Sequence, residues 1–197
     1  MTFKLGLTGS IGMGKSTTAQ LFSEEGCGLW DADAAVHRLY DVGGAAVGPL
    51  GGVFPAVIEN RQVSREKLRA LLRENPDALK SIEVIVHPLV AQDRNAFLAK
   101  TTADIVVLDI PLLFETGGHT EMDAVACVTI PPKEQKARVM ARGTMTREAF
   151  EHILSQQMPI EEKSARSDFV IVTDTIENAR SQVQDIVRQI RERIGDA

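Results

Sequence analysis

The sequence predicts an α/β chain: a five-stranded parallel sheet with helices on both faces, interrupted by a helical insertion. Three observations carry that expectation. The runs Ile105–Leu108, Val125–Ile130 and Phe169–Val172 are continuously apolar and rich in β-branched residues, as strands covered on both faces are. Segments of helical period alternate with such runs, the rhythm of a doubly wound sheet. From about residue 36 to residue 100 that rhythm lapses into helical pattern alone.

The elements follow in order. Phe3–Leu7 reads as the first strand. After a glycine-rich turn, Ser16–Glu25 reads as a helix with Ala19, Leu21 and Phe22 toward the sheet and Gly26 as its stop. Leu29–Trp30 makes a short second strand leading into Asp31-Ala32-Asp33. In the insertion, Gly43–Gly52 is expected to be a flexible approach, and Ser64 to cap a helix bearing Leu68, Leu71 and Leu72 on one face. Pro76 and Pro88 each suit a first helical turn, which puts His87 between two helices. Pro132 opens the helix after the fourth strand. Asp174-Thr175-Ile176-Glu177 is a capping-box variant opening the last helix, whose core stripe runs Ile176, Ala179, Val183, Ile186, Val187, Ile190, Ile194. The chain is expected to be a single domain over residues 1–197, with a core of 1–35 and 101–197, the insertion at 36–100 and a lid at about 138–165.

Composition bounds the function. A hydrophobic content of 44% in 197 residues suffices for a core without metal or disulfides. The formal charge is −5, with 22 Lys and Arg against 27 Asp and Glu, which disfavours a nucleic-acid partner. Neither a signal segment nor a run of about 20 apolar residues stands out, so no membrane partner is expected and the location is cytoplasmic. Cys27 and Cys127 sit in apolar settings outside any CxxC pattern and read as buried, reduced thiols.

Gly9-Ser10-Ile11-Gly12-Met13-Gly14-Lys15-Ser16 matches G-x-x-x-x-G-K-[ST] in full, between a predicted strand and a predicted helix. Glycines let backbone N–H groups turn inward around phosphates, and the partial positive charge of the helix N-terminus adds to that cradle. Gly12, Met13, Gly14, Lys15, Ser16 and Thr17 are therefore the expected ATP site, with Lys15 reaching the β- and γ-phosphates and Ser16 holding Mg²⁺. The dinucleotide fingerprint G-x-G-x-x-G fails, because Gly12-Met13-Gly14 is followed by no third glycine. The fold is thus a P-loop NTPase or kinase three-layer sandwich.

Asp33 stands at the carboxyl edge of the second strand, where a carboxylate could orient or deprotonate an attacking hydroxyl; spacing leaves that role level with helix capping. Asp31 reads as the structural member of the pair. Asp109 ends an apolar run as a Walker B acid does and is a candidate Mg²⁺ ligand. Glu115 is divided between an indirect role at the site and a structural one. Arg138 and Arg142 share a helix face four residues apart and would close over ATP as part of a lid. Arg188, Arg191 and Arg193 read as a solvated face. His87 is placed near the acceptor.

Together these residues resemble the dephospho-CoA kinase family. Its phosphate loop appears as Thr8 to Thr17, its Asp-Ala-Asp as Asp31-Ala32-Asp33, its His-Pro as His87-Pro88 and its Asp-Ile-Pro-Leu-Leu-Phe-Glu as Asp109 to Glu115. The lid arginines and later glutamine match Arg138, Arg142 and Gln157, so the resemblance spans nearly the whole chain. It implies phosphorylation of the ribose 3′-hydroxyl of dephospho-CoA by ATP with Mg²⁺, the last step of coenzyme A synthesis. Asp33 is then the base, Lys15 and Arg138 assist catalysis, Arg142 lies near adenine, and the insertion grips the acceptor. Thr8, Asp33, His87 and Leu112 are the implied acceptor residues, in a monomer or small homo-oligomer.

There are departures. Ser10 and Met13 replace the family's glycine and serine, with Met13 expected to point outward. The family's Phe-Gly is absent near Val53-Phe54, and Thr173-Asp174 stands where it has Asn. The nearest alternative is another P-loop small-molecule kinase, for a nucleoside monophosphate or a metabolite. A GTP switch needs Asn-Lys-x-Asp, yet none of Asn60, Asn75, Asn95 and Asn178 precedes lysine. A non-catalytic nucleotide-binding module is the third possibility.

Overall fold

A computed structural model of the chain describes residues 2–195. They pack as two units, Met1–Trp30 with Thr101–Ala197, and Asp31–Lys100.

The first unit is the α/β layer structure. Its five-stranded sheet has β1 (Phe3–Gly9) at the centre, β5 (Ile105–Asp109) and β2 (Gly28–Asp31) on one side, β6 (Ala124–Thr129) and β7 (Phe169–Val172) on the other. β1 runs parallel to β5 and β6, and β6 to β7. Alternation along β1 divides the core. Leu5 and Leu7 pack with Ala19 and Phe22 of α1 (Lys15–Glu24) and with Val183, Ile186 and Ile190 of α9 (Ile176–Gly195). Gly6 faces the other side, where an added Cβ would stand 2.7 Å from Leu113. There Leu113, Phe114 and Val125 form a second cluster with Met158 at its edge. Gly26 ends α1 with φ at 85°, a left-handed conformation that favours glycine.

After β6 come α6 (Pro132–Ala141), α7 (Arg147–Gln156) and α8 (Ile160–Ala165), the stretch read as a lid. Two expectations about α9 are corrected. Its capping hydroxyl is that of Thr175, which accepts the Asn178 N–H at 3.1 Å, whereas Asp174 accepts from the adjacent Thr175 N–H and the Asn178 side chain. Ile176 is 58% exposed rather than core, because the buried stripe begins only at Ala179. Arg191 is also more than a solvated side chain: it bonds Asp104 at 2.9 Å and the Glu25 carbonyl at 3.1 Å. Cys27 and Cys127 are free and buried, and burial pushes the Cys27 thiol up to about 11.

The second unit holds α2 (Ala32–Tyr40), α3 (Val47–Val53), a two-stranded hairpin β3 (Ile58–Glu59) and β4 (Gln62–Val63), α4 (Arg65–Glu74) and α5 (Ala78–Lys100). Leu39, Leu50, Val57, Leu68, Ile82 and Val86 form its core. Ser64 caps α4 through the Lys67 N–H. Arg38 forks onto Asp93 at 2.5 and 3.2 Å, joining α2 to α5. The glycine-rich Gly43–Gly52 is partly helical, since Ala46 and Leu50 must both reach the core. His87-Pro88 does not separate two helices either: Pro88 lies inside the 23-residue α5. Proline removes the bond to the carbonyl four residues earlier, and that residue, Val84, is 75% exposed and open to water. The turn Asn60-Arg61 has φ of 49° and 64°, the paired positive values of a tight hairpin turn.

Candidate active site

The phosphate loop follows directly from the strand it leaves. β1 ends at Gly9, and the next residues turn under two left-handed glycines, Gly12 at φ 78° and Gly14 at φ 84°. A side chain at Gly12 would also meet Val139 at 2.3 Å, so both conformation and space require glycine there. Helix α1 starts at Lys15 with no side-chain cap and no acidic residue in its first turn. Its leading N–H groups and dipole thus remain for an anion. Met13 departs from its expected orientation. Its side chain is 1% exposed and packs into the α1–sheet core, a gap that a flexible thioether fills well. Its carbonyl accepts the Thr173 hydroxyl at 2.8 Å, so the Thr173 departure supports the loop from below.

The register Leu7↔Asp109 sets the end of β5 beside the start of the loop. Asp109 is 1% exposed and forms an ion pair with Lys15. The structure thereby brings together Lys15 and Asp109, and Ser16 follows Lys15 in the first turn of α1, exposed. Among the described residues no group of three or more His, Cys, Asp or Glu could hold a metal by itself. One carboxylate and one hydroxyl next to a phosphate cradle nevertheless suit Mg²⁺, which takes few protein ligands and completes its shell with phosphate and water.

Other expected residues fall into place differently. Arg138 donates to the carbonyls of Thr173 and Asp174 at 2.7 and 3.0 Å, holding the β7–α9 loop. Arg142 follows α6 as its C-cap, exposed. Gln157 accepts the Ile11 N–H at 3.2 Å, and Gln135 donates to the Ile11 carbonyl at 2.7 Å, so the two peptide groups flanking Ile11 are each held by a glutamine. Thr8 is buried with its hydroxyl donated to the Pro111 carbonyl at 3.0 Å, whereas Leu112 is exposed.

In the helical unit the ambiguity between the two aspartates is resolved. Asp31 caps α2, accepting the Ala34 N–H at 2.8 Å. Asp33 lies in the first turn beyond the cap and lines a cleft of about 640 Å³ with Tyr40, Arg65 and Arg69, over apolar flooring from Leu68 and Leu72. Burial raises the Tyr40 phenol pKa, partly opposed by the nearby Arg65 charge. His87 is exposed on α5 and is not part of this lining. Sequence reasoning passed over Arg65 and Arg69. Their signal was available, since they lie four apart on one helix face, the spacing that marked Arg138 and Arg142.

A parallel sheet with a complete phosphate loop, a lysine and a buried acid at its edge defines a P-loop phosphotransferase. The family profile described as dephospho-CoA kinase matches residues 3–178. The dephospho-CoA kinase of Ruegeria pomeroyi is 70% identical over 191 residues, covering 97% of each chain. Among solved structures, TT1252 from Thermus thermophilus superposes with TM-score 0.86 at 32% identity, over 95% of this chain and 97% of its own. Dephospho-CoA kinase from Campylobacter jejuni gives TM-score 0.73 at 25% identity over 100% of both chains. The chain belongs to the dephospho-CoA kinase family.

Proposed function

We propose that this chain transfers the γ-phosphoryl group of ATP to the ribose 3′-hydroxyl of dephospho-CoA, completing coenzyme A in the cytoplasm. The observation that carries the reading is the acceptor cleft. Asp33, relieved of capping by Asp31, shares it with two arginines and an apolar floor. Dephospho-CoA combines a diphosphate, a ribose hydroxyl and a long flexible arm, and that set of side chains complements all three.

In this mechanism the N–H groups from Gly12 to Thr17 and the Lys15 ammonium bind the ATP phosphates, and Arg142 packs near adenine. Arg138 steadies the loop after β7, whose Thr173 in turn bonds the Met13 carbonyl of the phosphate loop. Asp33 accepts the proton of the 3′-hydroxyl as the phosphoryl group moves. Ser16 and Asp109 are the residues that would hold Mg²⁺, which supplies charge neutralisation at the phosphate oxygens when bound. The remaining catalysis is positioning and charge stabilisation, since phosphoryl transfer needs no covalent help from the protein.

The test is ADP release by the full chain with ATP and Mg²⁺ against dephospho-CoA, nucleoside monophosphates, shikimate and gluconate. Dephospho-CoA is expected to give the highest kcat/KM, with a product heavier by one phosphate at the 3′ position. A higher kcat/KM for any other acceptor would overturn the reading.

A further inference from the structure

Lys163, on the short helix α8, has a side chain that is 0% exposed. An ammonium in that position must have its charge and donors satisfied. It meets the Glu115 carboxylate at 2.9 Å and the Pro111 carbonyl at 3.0 Å. Each partner has a second bond that leads toward the nucleotide loop. The Pro111 carbonyl also accepts the hydroxyl of Thr8, the residue before Gly9. The Glu115 carboxylate also accepts the Met158 N–H at 2.9 Å, and the residue before Met158 is Gln157, which holds the Ile11 N–H. One ion pair therefore connects three segments: the 109–115 stretch that begins with Asp109, the return of the lid at 157–163, and the phosphate loop.

A well-packed apolar pair commonly stabilises such a place as well as a buried ion pair does. The ions differ in direction, because each oxygen and N–H fixes the angle as well as the distance of its neighbour. We propose that Lys163 and Glu115 are positioning residues, whose buried pair holds the lid's return and, through Gln157 and the Pro111 carbonyl, sets the phosphate loop and the Asp109 segment in reactive register.

The kinetic part of this proposal rests on the dephospho-CoA kinase reading; the structural part does not. The test compares the full chain with Lys163→Met, the double variant Lys163→Met/Glu115→Met, and Gln157→Ala. Lys163→Met alone strands a carboxylate and is expected to unfold at a lower temperature. The double variant is expected to regain most of that loss. Its kcat should nevertheless stay about 10- to 100-fold low, as small misplacements of reacting groups produce, with KM for dephospho-CoA unchanged. Amide exchange in the peptide spanning Ile11–Gly14 should quicken in the double variant and in Gln157→Ala, where the ion pair is intact.

A double variant with wild-type kcat and wild-type exchange would overturn the proposal. If it does not fold, Gln157→Ala with wild-type exchange and kcat overturns it instead. Exchange needs no acceptor, so a wild-type protein inactive on dephospho-CoA would sink the substrate reading and leave the positioning claim to be decided by exchange.

Discussion

On the proposed reading, the two units bind anions in opposite ways. In the α/β unit the anion-facing groups are mostly backbone, shaped by left-handed glycines and an uncapped helix, and the lysine in the loop, Lys15, already has a partner in Asp109. In the helical unit the work falls to side chains. Arg65 and Arg69 rise from one face of α4 into an open cleft, beside an acid and over leucines. A backbone cradle recognises phosphate wherever it occurs and says little about what carries it. Side chains on a helical scaffold can match one acceptor's particular charge and shape. On that same reading, binding of ATP belongs to the sheet unit, whereas the acceptor and the base Asp33 that receives its proton belong to the insertion.

That contrast can be broken most directly at Asp33. Asp33→Ala is expected to lower kcat by about 10²- to 10⁴-fold, the usual worth of a general base, with ATP affinity by fluorescent-analogue titration nearly unchanged. Turnover at the wild-type rate would remove Asp33 from the chemistry and leave α2 a merely structural helix.

The arginines sharpen it further. Arg65→Ala and Arg69→Ala should each raise KM for dephospho-CoA by about tenfold or more, the scale of a lost hydrogen bond to a charged group, while KM for ATP stays constant. Equal rises in both constants would erase the division of labour between the units.

The smallest expected effect concerns acid. Burial works to raise the Glu115 pKa, but the hydrogen bonds from Lys163 and the Met158 N–H outweigh it and hold the carboxyl below its ordinary 4.5. A depressed carboxylate contributes stability that is fully present above the unfolded value and lost as pH falls through the folded one. Thermal melts of the wild type and Glu115→Gln should therefore keep a constant gap from neutrality down to about pH 5, then converge at lower pH. A gap that widens on acidification contradicts the assignment.

Much of the fold was legible in the sequence because its signals are local. The apolar run at Ile105–Leu108 specifies a buried strand with no knowledge of its neighbours, and Gly26 ends its helix for a reason contained in its own backbone. Phe169–Val172 forms the expected strand but is not covered on both faces: it lies at the sheet's edge, with Val170 43% and Val172 37% exposed. The errors share a cause. Pro88 was expected to start a helix and sits within one, because the carbonyl it frees is at the surface and the flanking turns pack against the unit's core. Gly43–Gly52 was expected to be flexible, and packing of Ala46 and Leu50 overrode the glycines' preference.

The site divides along the same line. From sequence alone the Gly9–Ser16 loop could be recognised as a triphosphate cradle, since the spacing of glycines, lysine and serine is itself the binding geometry. Which aspartate caps α2 and which faces a cleft, why Met13 turns inward, where Arg138 bonds and what Lys163 holds were decided only in three dimensions. Each depends on groups from distant segments meeting: Lys163 and Pro111, 52 residues apart, or Gln157 and Ile11, 146 apart. Hydrogen bonds and ion pairs act over a few ångströms, so their partners are set by how the chain packs and not by the order in which it is written.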